Sequence, residues 1–207
     1  ATNVILGRQC RTLWGEDTLA DTLCGVPVRL SPLSFYQVNT LGAEQLYGEA
    51  ARMAQLDSGD TLLDLYCGAG TIGLSMAAAC RQLVGAEIVP EAVENARANA
   101  ARMGACNARF LCADAAEAAQ QLLAEGLRPD VVVLDPPRKG CDEATLSTVA
   151  SMGPRRVVMV SCNAATAARD AAWLAAHGYA PEGVRPVDMF PRTKHVEAVI
   201  RFSRQAL

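Results

Sequence analysis

From Asp60 onward the chain alternates five short β-rich runs with five helical stretches, and this alternation restricts its possible folds more than any other feature. TLLDL, QLVGAEI, ARFLCAD, DVVVLD and RRVVMVS predict strands. Residues 71–80, 90–103, 115–125, 142–152 and 164–177 predict the helices between them, with Pro90 opening one and Gly104 and Gly178 closing two. Parallel strands need crossover connections, and helices on both faces then bury the sheet. The expectation is a doubly wound, Rossmann-like α/β fold.

The rhythm breaks after Tyr179. VRPVDMF and HVEAVIRF are β-like, and the Pro191-Arg192-Thr193-Lys194 link leaves no room for a crossover helix, so they should form an antiparallel hairpin at one end of the sheet. A helix is expected over 40–55, packing through Leu46 and Met53. Residues 1–38 read as a strand-rich appendage and 39–207 as the main α/β domain.

Composition removes several function classes. Hydrophobic residues make up 51% of the chain, yet no apolar run is long enough to span a membrane and no basic leader precedes one, which predicts a cytoplasmic protein. The eight cysteines contain no C-x-x-C pair, so neither a metal site nor a disulfide framework is expected. A formal charge of −3 argues against a free-standing nucleic-acid binder. The sequence starts with Ala rather than Met, as expected of a fragment.

The first strand runs into D-L-Y-C-G-A-G-T-I-G, where Gly68, Gly70 and Gly73 form a G-x-G-x-x-G at a strand-to-helix turn. Glu87 ends the second strand, where a carboxylate can accept both hydroxyls of a ribose, and Asp114 ends the third. Together they point to a nucleoside cofactor. Spacing alone leaves nicotinamide open. Asp135-Pro136-Pro137-Arg138, at the exit of the fourth strand, fits a methyltransferase that holds a flat base beside a sulfonium cofactor better than it fits hydride transfer.

S-F-Y-Q-V-N, D-L-Y-C-G-A-G-T, L-D-P-P-R, V-S-C-N-x-x-T-x-x-R-D and D-x-F-P-x-T-x-H-V-E occur here in that order. Together they resemble the RNA uracil-5-methyltransferases, which form 5-methyluridine in tRNA and rRNA using S-adenosylmethionine. The likeness runs from about residue 31 to 202. It implies that Gln37, Tyr66, Thr71, Glu87, Asp114 and Asp135 line the S-adenosylmethionine pocket, that Cys162 is the nucleophile, and that Glu197 is the base. Ala164 stands where the family often has Pro. An N-terminal RNA-binding domain, common in full-length relatives, and the four-cysteine iron-sulfur motif that some of them carry are not visible in the sequence, so the RNA-binding domain is expected to be missing.

Carbon 5 of uracil is a poor nucleophile until a thiolate adds to carbon 6, and cysteine is reactive even when little ionised. Cys162 precedes a predicted helix, whose N-terminus should favour the thiolate. In an antiparallel last strand, Glu197 would start at the sheet's carboxyl edge and share a face with His195, while Val196, Ala198 and Ile200 pack on the other. His195 could orient Glu197, contact phosphate or lie on the surface. Cys67 reads as a packing residue, and the six cysteines other than Cys67 and Cys162 read as structural. The alternatives are an amino-group methyltransferase that uses the Asp-Pro-Pro turn without a covalent step, and an inactive cofactor-binding fragment.

Overall fold

The computed structural model describes residues 10–32 and 35–205. Ser34 of the S-F-Y-Q-V-N motif and the ends of both expected domain ranges lie outside the described residues. A hairpin of β1 (Leu19–Leu23) and β2 (Val26–Leu30) turns at Cys24 and Gly25, both at positive φ. Helix α1 (Thr40–Ala54) follows, capped by the Asn39 side chain, which accepts from Gly42 N–H at 3.1 Å.

The alternating region forms β3 (Thr61–Leu65), α2 (Thr71–Met76), β4 (Gln82–Glu87), α3 (Pro90–Met103), β5 (Ala108–Cys112), α4 (Ala115–Ala124), β6 (Val131–Leu134), α5 (Glu143–Met152), β7 (Arg156–Ser161) and α6 (Ala164–Ala176). β8 (Tyr179–Val187) and β9 (Glu197–Arg204) complete a seven-stranded sheet of order β5-β4-β3-β6-β7-β9-β8. Its first five strands are parallel, and β9 runs antiparallel between β7 and β8. This is the doubly wound sheet with an antiparallel end hairpin that the alternation predicts.

Strand residues alternate between two cores. Leu62, Val133, Val158, Val160 and Val199 pack with α1, α2, α3 and the hairpin residues Leu23, Val26 and Val28. Leu63, Leu65, Val132, Leu134, Val157 and Met159 pack with α4, α5 and α6. At the amino edge Arg155 donates to Asp60 through both Nη atoms at 2.6 Å, joining the start of β3 to the start of β7.

Several boundaries differ from the sequence reading. The helix expected over 71–80 leaves α geometry after Met76 and finishes as a 3-10 turn, Ala77–Ala79. β8 begins at Tyr179 rather than Val184, because an irregularity between Pro181 and Gly183 absorbs the residues that interrupt the strand pattern. β9 begins at Glu197 rather than His195, so Val196, expected to pack, is 48% exposed. Of the six cysteines read with Cys67 as structural, Cys80 and Cys141 are buried, Cys24 is intermediate, and Cys10, Cys106 and Cys112 are exposed. Cys106 follows the α3 cap, and Cys112 is the last residue of edge strand β5.

Candidate active site

The carboxyl ends of the parallel strands open onto a cleft of about 550 Å³. Each strand delivers its last residues there. β3 runs into Tyr66 and the glycine loop, β4 ends at Glu87, β5 is followed by Asp114, β6 by Asp135, and β7 by Cys162. Antiparallel β9 begins at the same edge, and its pairing of Ala198 with Ser161 brings Glu197 beside Cys162 in register. Glu197 is only 5% exposed, while Cys162 is partly open to the cleft.

The loop after β3 has a tightly determined shape. Tyr66 takes a left-handed backbone (φ 65°), a conformation that costs a non-glycine residue on the order of 1 kcal/mol. Gly70 (φ 80°) caps α2, and a Cβ there would stand 3.1 Å from both Ala96 and the Phe110 ring. At Gly73 a Cβ would lie 2.7 Å from Asp64 Oδ2, the atom that accepts from Gly73 N–H at 2.9 Å. The third glycine of the fingerprint thus lets the helix approach a buried carboxylate closely.

Of the ten predicted site residues, Gln37, Tyr66, Gly68, Glu87, Asp114, Asp135, Cys162 and Glu197 line the one cleft. Thr71 lies in an adjoining recess of about 40 Å³ that also touches Gln37, Tyr66, Gly68 and Asp135. Gly70 lines neither space, and its contacts are with the packing beneath the loop. Phe35, Ile88, Ala113 and Asp142 also face the cleft, and the sequence reading gave them no role. A signal was available for Ile88 and Ala113, since each is an apolar residue beside a strand-end acid, where a flat ring would need a wall.

Both carboxylate oxygens of Glu87 already accept main-chain hydrogen bonds, Oε2 from Gly68 at 3.0 Å and Oε1 from Val89 at 2.9 Å. Each oxygen keeps a second lone pair for a ligand. Asp114 Oδ1 accepts from Ala116 N–H at 2.9 Å and caps α4. Burial pushes Asp135 up to about 8, and the nearby Glu197 and Asp64 carboxylates add to the shift. Asp64, fully buried with Oδ1 unpartnered, is pushed up to about 7 by burial, partly offset by the Gly73 hydrogen bond. Burial also raises Glu197, against the pull of Arg138.

Cys162 departs from expectation. The start of α6 was expected to favour its thiolate, but burial pushes the thiol up, Glu197 pushes the same way, and Arg138 opposes them. Lost hydration, with the Glu197 and Asp135 carboxyls, outweighs the opposing Arg138 cation. The turn itself is well tied: Asn163 caps α6 through Oδ1 and donates from Nδ2 to Arg138 O at 3.1 Å. Burial pushes the Cys67 thiol well up, in keeping with a packing role. Among the described residues no cluster of three or more His, Cys, Asp or Glu is placed to hold a metal, and no helix is long and apolar enough to cross a membrane.

Residues 27–205 match the model of the family described as tRNA (Uracil-5-)-methyltransferase. An uncharacterised RNA methyltransferase of Staphylococcus aureus is 48% identical over 202 residues, covering 98% of this chain and 44% of the relative. One from Halalkalibacterium halodurans is 48% identical over 198 residues, covering 96% and 43%. The chain therefore spans under half the length of these curated relatives. Among solved structures, the Pyrococcus abyssi tRNA (uracil-54, C5)-methyltransferase in complex with S-adenosyl-L-homocysteine is 30% identical with a TM-score of 0.75, covering 91% of this chain and 45% of that one. An Agrobacterium tumefaciens SAM-dependent methyltransferase, 16% identical with a TM-score of 0.71 over 92% of this chain and 71% of its own, shares the fold.

Proposed function

Because this chain belongs to the tRNA (uracil-5-)-methyltransferase family, we propose that it transfers a methyl group from S-adenosylmethionine to carbon 5 of a uridine in RNA. The observation that carries this reading is the meeting of Cys162 and Glu197, from neighbouring strands β7 and β9, in the cleft that also holds Glu87, Asp114 and Asp135. The donor set suits the cofactor. Glu87 and Asp114 offer acceptors for hydroxyl and amine groups, and Ile88 and Ala113 offer apolar walls for a ring. Gly68 gives main-chain access, with no atom within 4 Å of where a Cβ would stand. Asp135, pushed up to about 8, gains most from a nearby cation or N–H donor.

When bound, the cofactor supplies an electrophilic methyl group on a sulfonium. Cys162 Sγ, as the thiolate, bonds to carbon 6 of uracil, and the C5–C6 π pair moves onto carbon 5 and the C4 carbonyl. Carbon 5, now carbanion-like, would take the methyl, and the electron pair of the broken S–CH3 bond would stay on the donor sulfur, leaving a neutral thioether. Glu197 then accepts the proton from carbon 5, the C5–C6 double bond re-forms, and the S–C6 bond breaks to return the thiolate. A carboxyl raised by burial is better matched to this proton transfer near neutral pH than an exposed one. The base must leave its stack to expose carbon 6.

Titration calorimetry with S-adenosylmethionine, then methylation of bulk RNA, tests the reading. Cys162→Ala should bind the cofactor but lose methylation and any adduct with 5-fluorouridine RNA. Substantial turnover by that variant would reject the covalent route in favour of direct transfer.

A further inference from the structure

His195 plays no part in the mechanism above, yet it reaches the cleft through another side chain. Its Nδ1 lies 3.0 Å from Arg138 Nη2. A guanidinium can only donate, so in this pairing Nδ1 is the acceptor and the ring proton sits on Nε2. The ring is itself held. His195 N–H donates to Thr193 Oγ1 at 3.2 Å, that hydroxyl donates to Phe190 O at 2.8 Å, and the Phe190 ring meets the imidazole edge-on at 6.4 Å.

Arg138 is fixed at its other end too. Its carbonyl accepts from Asn163 Nδ2 at 3.1 Å and Thr166 Oγ1 at 3.3 Å, so its backbone is tied to the turn that carries Cys162. Its guanidinium is tied to the residue two before Glu197. Arg138 therefore bridges the two chain segments that deliver the thiol and the carboxylate, and it lines the cleft they share.

We infer that His195 is a positioning residue: it holds the Arg138 guanidinium at the rim of the cleft shared by Cys162 and Glu197, so that a cation attends the thiol as it ionises. The inference rests on Cys162 being the nucleophile. The charged groups that face Cys162 are Glu197 on β9, Asp135 after β6, and Arg138; the two carboxyls oppose the thiolate and Arg138 favours it. An arginine with a free stem spreads over many rotamers, which would weaken that support. The neutral imidazole confines it. Protonated imidazole has no acceptor and would release it.

The test is the rate at which iodoacetamide alkylates Cys162 in this chain between pH 6 and 10, read by mass spectrometry of the Cys162 peptide so that the other cysteines do not interfere. At a fixed pH below the thiol midpoint, Arg138→Ala should slow the reaction about tenfold, as expected for a midpoint one unit higher. His195→Ala should slow it roughly threefold, the loss expected when a charge drifts a few ångströms away. His195→Asn, whose Oδ1 falls near the position of Nδ1, should restore most of the rate. The double variant Arg138→Ala/His195→Ala should match Arg138→Ala alone. A His195→Ala profile that superimposes on wild type would overturn the inference, as would His195→Asn reacting as slowly as His195→Ala, or losses that multiply in the double variant. Alkylation needs neither RNA nor methyl donor. Failure of the nucleophile reading would instead appear as methylation surviving in Cys162→Ala.

Discussion

At the amino ends of the parallel strands Asp60 is gripped by both Nη atoms of Arg155, which holds its carboxyl below the usual range, whereas at their carboxyl ends burial raises Asp135 and Glu197. The same sheet and the same kind of acidic group give opposite outcomes. One edge pairs its charge and joins β3 to β7. The other gathers carboxyls from several strands into one cleft, where Arg138 alone among the charged groups acting on Glu197 offsets its burial. An edge with surplus carboxylate is poor for stability and good for binding a cation or an N–H donor.

The largest effect on stability should come from the paired edge. Arg155→Met leaves Asp60 nearly buried without its cation. Breaking a fully buried pair costs about 3–5 kcal/mol, but Arg155 is 36% exposed, so solvent screening reduces the expected loss to about 2 kcal/mol in urea denaturation at pH 7. Because the folded Asp60 carboxyl is lowered, the pair's contribution is present above the unfolded value of about 4 and fades as the pH falls below it. Wild type should lose that increment on acidification and Arg155→Met should not.

The cleft edge should respond with the opposite sign. Asp135 is raised to about 8 when folded, so its favourable contribution is complete below the unfolded value of about 4 and is lost as the pH climbs toward 8. Asp135→Asn should match wild type at pH 4 and exceed it by about 1 kcal/mol or more at pH 8, with S-adenosylmethionine binding weakened in calorimetry. A loss of stability at pH 8 would erase the contrast between the edges. Arg52→Ala, which breaks a surface pair with Glu49 at 2.6 Å, should leave the denaturation midpoint unchanged.

Much of this was legible because strand ends are punctuated. Asp64 to Gly73, Glu87, Asp114 and Asp135 each follow an apolar run, and a parallel sheet brings all such ends to one edge. Cys162 and Glu197 lie 35 positions apart, and only the antiparallel sense of β9 brings them together. The remainder depended on distance and burial. That Arg138 reaches His195 rather than solvent is a matter of rotamers, and that Cys162 is raised rather than lowered depends first on its burial and then on the Glu197 and Asp135 carboxyls brought in from elsewhere in the sheet. The 3-10 turn after Met76 and the irregularity in β8 are likewise set by packing. Gly70 shows a further limit, since its place in the fingerprint says nothing of whether it faces ligand or the Phe110 ring.

The central claim is that the sulfur of Cys162 and the carboxylate of Glu197 act on one base from two strands. The most direct measurement is a denaturing gel of Glu197→Gln incubated with RNA and S-adenosylmethionine labelled in the methyl group. The account predicts a slow-migrating, labelled band that contains both protein and RNA, because carbon 5 is methylated while its proton stays in place and the S–C6 bond persists. Methylated RNA released at the wild-type rate, with no such band, would contradict it.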